Sequence, residues 1–191
     1  MKLYSIISNS CVGFEIHRKL YPEHKYLNPL IGSCVYNDEQ FLDFAERYET
    51  FKHINMVECK HIPTFIPLPH PSVDPNHPVC TWGCIDIHWI HETSLQVLLN
   101  KFHTRLERGK NIEPLFIMSI SEMFQGRRDD LIKRFINLPH KSILVTDEPK
   151  DLELQCNQNH IILLIKKSPT QPDIINNVVT YALTSQTSFF N

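Results

Sequence analysis

Short runs of β-prone apolar residues alternate along this chain with stretches whose apolar residues recur at helical spacing. That alternation restricts the fold more than any other property. Strands are expected at Leu3–Ser8, Leu30–Tyr36, Ile85–Ile90, Leu115–Ile120, Ser142–Thr146 and His160–Ile165. Val12, Ile16 and Leu20 recur every four positions, with Phe14 alongside, and predict a helix opening at or just after Cys11. Asn37-Asp-Glu-Gln40 predicts a second helix start, after which Phe41, Phe44, Ala45, Tyr48 and Phe51 share a face. Thr93-Ser-Leu-Gln96 fits a capping box, the helix running through Leu98, Phe102 and Leu106 to a stop at Gly109. A shorter helix carries Leu131, Ile132, Phe135 and Ile136, and a last one runs from about Pro172 through Leu183. Parallel strands need a crossover, usually a helix, so the expected fold is α/β: a largely parallel sheet flanked by helices, as a single layer-sandwich domain over residues 1–191.

Composition narrows the function classes. With 42% apolar and 21% charged residues the balance is that of an ordinary globular chain. The formal charge of −2 carries no polyanion-binding signal, so nucleic acid is not an expected partner. No apolar run is long enough to span a bilayer, and Met1-Lys-Leu3 leads straight into a strand without a signal-peptide core, so a cytoplasmic protein without a transmembrane segment is expected. Its six cysteines are scattered in a chain too large to depend on disulfides, and reduced thiols are expected. Cys80 and Cys84 lie near His77 and His88, but a second closely spaced cysteine pair is missing and Cys84 falls at a strand start, so no metal site is expected. The stretch from Ile62 to Pro78 is too rich in proline for a helix or a central strand. It predicts a long irregular loop at about residues 61–80, which either covers a site or makes a surface excursion.

The residues most suited to chemistry begin at the first strand's end, where Ser8-Asn-Ser10 breaks the apolar run and delivers Cys11 to a helix start. Unpaired N–H groups and the helix dipole there favour a thiolate or a phosphate-bearing ligand; the bland alternative is an inert, buried cysteine. In the Ile85–Ile90 strand, Asp86 and His88 project from one face while Ile85, Ile87 and Trp89 project from the other. His88 reads as a core histidine bonded to the backbone, and His91, where the strand gives way, as the better catalytic candidate. Arg105 and Arg108, one helical turn apart, suit a grip on phosphate or carboxylate, or simply complement a helix C-terminus. Ligands of open α/β sheets bind at the carboxyl ends of the strands, and Cys11, His91 and Asp147 each follow an expected strand, so one rim could hold all three. A serine-hydrolase elbow, a Walker A loop, a Gly-x-Gly-x-x-Gly run and an Asp-x-Asp metal-diphosphate motif are all missing from the sequence.

Taken together, Ile7-Ser-Asn-Ser-Cys-Val-Gly13, Asn28-Pro-Leu-Ile-Gly32, Ile85-Asp-Ile-His-Trp-Ile-His91, the Arg105/Arg108 helix and Phe135-Ile-Asn-Leu-Pro-His-Lys-Ser-Ile-Leu-Val-Thr146 resemble, in order, a family of uncharacterised proteins usually labelled exopolysaccharide biosynthesis proteins. The resemblance spans roughly residues 3–147. The chain departs from it at Val12-Gly13, where an aromatic and two glycines are common, and in the proline-rich loop. It implies an α/β fold and a setting in surface-glycan assembly. A more distant likeness is to papain-like cysteine peptidases, which also place an early cysteine before a downstream histidine; here a third residue to orient His91 is not evident, and Asn9 stands where a glutamine would serve the oxyanion.

Three readings follow. In the first, a glycosyltransferase-like enzyme holds a sugar-nucleotide diphosphate at Ser8, Asn9, Ser10 and the helix start, Arg105 or Arg108 neutralises the leaving group, and Asp86 or His91 is the base, without cofactor or divalent metal. In the second, Cys11 attacks an acyl carbon with His91 relaying the proton, as a cysteine hydrolase or acyl transferase. In the third, the chain is a non-catalytic binding or virion-associated module in which Cys11 merely packs.

Overall fold

The computed structural model describes residues 2–35, 37–54, 58–60, 77–92, 94–120, 128–154, 158–165 and 170–184. In chain order the elements are β1 (Ser5–Ser8), α1 (Val12–Leu20), α2 (Asp38–Glu46), α3 (Tyr48–Phe51), β2 (Glu58–Lys60), β3 (Val79–Trp82), β4 (Ile85–His88), α4 (Leu95–Gly109), β5 (Pro114–Ile120), α5 (Arg128–Phe135), β6 (Lys141–Thr146), β7 (His160–Leu164) and α6 (Gln171–Thr184). A short 3-10 turn, Pro149–Glu153, joins β6 to β7.

The main sheet has four strands in the order β1-β5-β6-β7, every neighbouring pair parallel. This is the α/β fold expected from the alternation. Because successive side chains point to opposite faces, the strands sort their apolar residues into two cores. Tyr4, Ile6, Leu115, Ile117, Ile143 and Val145 face α1 and α6. Ile7, Phe116, Met118 and Leu144 face the opposite way, towards α2, α3, α4, α5 and a small second sheet. Each largely buried aliphatic or aromatic side chain contributes about 1.5–3 kcal/mol over its exposed state, so both sheet faces are strongly committed.

The second sheet, β2-β3-β4, is antiparallel. Trp82 of β3 anchors it: the indole donates to Phe51 O at 3.1 Å and its ring lies 4.9 Å from Phe44 and 5.1 Å from Phe102. Gly83, at φ +63°, turns β3 into β4, and a Cβ there would sit 2.3 Å from the Phe51 ring.

The structure corrects several expectations. Leu30–Tyr36 is not a strand: the Asn28 carboxamide accepts from Leu30 N at 2.8 Å, Gly32 takes φ +84°, and residues 29–32 turn, leaving only a bridge from Cys34 to His88. Tyr36 lies outside the described residues. The expected Ile85–Ile90 strand ends at His88 and belongs to the antiparallel sheet. Val79 and Cys80 lie in β3, not in the loop expected at 61–80; residues 61–76 lie outside the described set, as do Thr93 and residues 185–191. Cys80 is disulfide-bonded rather than reduced, and the residue opposite it in the β2–β3 register is Cys59. That pairing depends on strand register, which spacing along the chain does not reveal. Cys11, Cys34 and Cys84 are thiols, Cys84 sitting in the β3–β4 turn rather than in a strand.

Candidate functional site

β1 hands the chain to α1 on one face of the sheet, whereas β5 is followed by α5, which packs on the other. Neighbouring strands whose connections leave to opposite faces open a crevice at their carboxyl ends. Asn9 bridges it. Its Nδ2 donates to Asp38 Oδ1 at 3.0 Å and to Ser119 O at 3.3 Å, its Oδ1 accepts from Ser119 N at 3.3 Å, and its carbonyl accepts from Val35 N at 2.9 Å. Ser8 is buried and its Oγ accepts from Ser10 N at 3.3 Å. Asn9 is therefore committed to holding β1, β5 and α2 together, and the Ser8 hydroxyl to the turn that follows β1.

Past this strut the chain reaches a cavity of about 440 Å³. One wall is the first turn of α1, with Cys11, Val12, Phe14 and Glu15; the opposite walls are Ile31 and Gly32, Trp89 to Glu92 without Ile90, Lys101 and Arg105 of α4, and Ile175 of α6. Cys11 occupies the N-cap position and its side chain makes no capping hydrogen bond; of the first N–H groups of α1, that of Phe14 donates to Cys11 O at 3.1 Å. Gly13 packs where a Cβ would lie 3.1 Å from Ser8 Cβ, which holds α1 close against the end of β1.

Three of the charged groups of the cavity are ion-paired. Lys101 is ion-paired with Glu92, and Glu15 with Arg18 at 2.6 Å. The Arg105 guanidinium donates to Ile31 O at 2.7 Å and sits 5.4 Å from the Tyr26 ring centroid; burial holds its pKa below the ordinary arginine value. Trp89 is 3% exposed, yet its indole N–H has no acceptor among the described residues. Leaving a buried donor unmatched costs about 1–3 kcal/mol, and this one belongs to a residue that lines the cavity.

Of the residues singled out in the sequence, Cys11, His91 and Arg105 meet in this cavity. Arg108 lies in the adjoining groove and donates to Tyr26 O at 2.9 Å. Asp86 is elsewhere: its Oδ1 accepts from Thr81 Oγ1 at 3.0 Å across the β3–β4 ladder. Asp147 is buried after β6 and does not line the cavity; it follows a strand of the same parallel sheet as Cys11, whereas His91 follows β4 of the other sheet, so the three do not come from one sheet's rim. His88 bonds to a side chain, not only to the backbone: its Nδ1 lies 3.0 Å from His77 Nε2, and burial first, then His77, push its pKa down to about 4. With Cys80 in a disulfide, the Cys80/Cys84/His77/His88 set cannot offer four free ligands, and no group of three His, Cys, Asp or Glu suited to a metal comes together among the described residues. Glu15, Trp89, Glu92 and Lys101 escaped sequence reasoning. Glu15 was within reach of it, one helical turn from Cys11; Trp89 reads as pure core because β4 buries its face.

A family comparison gives this site its setting. Residues 1–168 match the family described as Domain of unknown function (DUF1919). The chain belongs to this family. The match includes every cavity residue except Ile175 of α6. No curated protein matches the chain. Among the described residues of this DUF1919 protein, no helix is long and apolar enough to cross a membrane.

Proposed function

We propose that this protein is a glycan-assembly enzyme, glycosyltransferase-like, acting on a sugar nucleotide or a surface polysaccharide. The observation that carries the reading is the buried indole N–H of Trp89, without an acceptor among the described residues, on a side chain that lines a cavity also offering Glu15, Glu92 and Arg105. A sugar needs such a mixture: hydroxyls both donate and accept, while the ring's C–H face packs on apolar surface such as Phe14, Val12 and Ile175. The segments that resemble exopolysaccharide biosynthesis proteins support it too, since Cys11, Gly32, Trp89, His91 and Arg105 come from four of them.

In this reading His91 takes the proton of an acceptor hydroxyl as that oxygen attacks the anomeric carbon. The bond from that carbon to the phosphate oxygen breaks, and a nucleoside diphosphate leaves with its electron pair, its charge offset by Arg105 and the α1 N-terminus. Thermal-shift screening against nucleotide sugars tests this: a donor at 100 times its Kd raises stability by about 2.7 kcal/mol, and Trp89→Phe, which keeps the packing but removes the donor, should weaken that donor several-fold. No stabilisation by any nucleotide sugar at saturation would sink the proposal.

A second reading, a cysteine hydrolase or acyl transferase, rests on Cys11 and His91 lining the same cavity. Asn9 is spent on Asp38 and Ser119, so the oxyanion would fall to the α1 N–H groups.

A further inference from the structure

Beyond Lys101 and Arg105, on the side away from the cavity, lies an open groove of about 570 Å³ with a charge pattern of its own. Lys25, Lys101, Arg105 and Arg108 line it, with His24 and Tyr26 beside them and no carboxylate in its wall. This happens in a chain whose formal charge is −2, so the cations are concentrated rather than typical. Lys101 is partly compensated by Glu92. Arg105, which feels Glu92 only through space, and Arg108 make no ion pair among the described residues: each gives an N–H to a main-chain carbonyl, of Ile31 and Tyr26 respectively. A carbonyl fixes a guanidinium in place without neutralising it, leaving further N–H donors and the whole charge for an anion. Two such groups one helical turn apart raise the local potential, and the groove meets the cavity across Lys101 and Arg105, which line both.

We propose that this groove is a diphosphate-binding subsite, so that the ligand seated in the adjoining cavity is a sugar carried on a diphosphate rather than a neutral glycan. The assignment deepens the glycosyltransferase reading and, for the sugar half, rests on it. A carboxylated sugar offers a single delocalised charge; a diphosphate offers several oxygens in two clusters, which suits paired guanidiniums and a lysine.

The test is calorimetric titration of the full chain with inorganic pyrophosphate, with uridine diphosphate glucose and guanosine diphosphate mannose, and with methyl glucoside. The variants are Lys25→Glu combined with Arg108→Gln, both outside the cavity wall, and Arg108→Lys as the charge-preserving control. Pyrophosphate should bind the wild type, weaken as salt rises, lose about tenfold or more in the double variant, and change only a few-fold in Arg108→Lys. No pyrophosphate binding, or equal binding by wild type and double variant, overturns the subsite. Pyrophosphate held through Lys25 and Arg108, with neither nucleotide sugar binding more tightly, keeps the subsite and removes the transferase reading. Nucleotide sugars bound equally by wild type and double variant do the reverse.

Discussion

Asn9 donates to Asp38 across 3.0 Å, and that hydrogen bond is the only partner the buried Asp38 carboxylate has among the described residues, its Oδ2 being unmatched. Burial outweighs the favourable bond and raises the Asp38 pKa to about 6.

The sign of its pH dependence follows. Between about pH 4 and 6 the folded chain keeps an Asp38 proton that the unfolded chain has released, so stability from this group is present at low pH and lost as pH rises towards 6. His88, held near 4, acts the other way: below about 6.5 the unfolded chain binds a proton that the folded one refuses, so stability rises with pH from 4 to 6.5. Each contribution is on the order of 3 kcal/mol, and they oppose. Asp38→Asn should therefore steepen the rise in urea midpoint between pH 4.5 and 6.5 relative to wild type; an unchanged or flatter profile would contradict the assignment.

Glycine substitutions should separate close approach from turn geometry. A Cβ at Gly109 would fall 1.6 Å from Leu27 O, main chain against main chain, so Gly109→Ala must push α4 away from the segment that shapes the cavity. A loss of about 3 kcal/mol or more is expected from such overpacking. At Gly32 a Cβ meets nothing within 4 Å, and only the φ of +84° is strained. Gly32→Ala should cost about 1–2 kcal/mol. Thermal melts that rank the two in the opposite order would show the packing at Leu27 to be wrong.

The nucleophile reading makes its own forecast. If Cys11 carries an acyl group, Cys11→Ala and Cys11→Ser both abolish turnover, and His91→Ala lowers it by about 100-fold or more. In the transferase reading Cys11→Ser keeps nucleotide-sugar binding within a few-fold, because the α1 N–H groups remain. Measuring binding and turnover on the same three variants decides between them.

Arg134 tests how much a surface network contributes. It bonds Glu46 at 2.9 Å twice and Asp43 at 2.5 Å, tying α5 to α2. Its side chain is 34% exposed and its partners more so, so solvent screening limits the gain. Arg134→Ala should cost no more than about 1 kcal/mol at moderate salt, read as a shift of the urea midpoint.

The parallel strands, α1 and the α2 cap were legible because each rests on local pattern: Asn37 does cap α2 through Gln40 N at 3.0 Å, whereas α4 is capped by Ser94, one residue after the Thr93 of the expected capping box. What escaped depends on tertiary register. Leu30–Val35 has strand composition, but Asn28 and Gly32 impose turns before a partner strand can claim it. The cavity was half legible: Cys11, His91 and Arg105 announce themselves by chemical type, whereas Trp89 becomes informative only when its ring nitrogen is found without an acceptor.

The order β1-β5-β6-β7 has a consequence for synthesis. Among the described strands β1 leaves the ribosome first, yet its one neighbour among them begins at Pro114, paired with Ser5. At about 5–20 residues per second, the first strand waits roughly 5–20 s for a partner. β5, β6 and β7 follow one another closely and assemble on local contacts, whereas β1 must close a loop of more than a hundred residues. The residues of the cavity wall that follow β1 are thus made long before the strand that β1 pairs with.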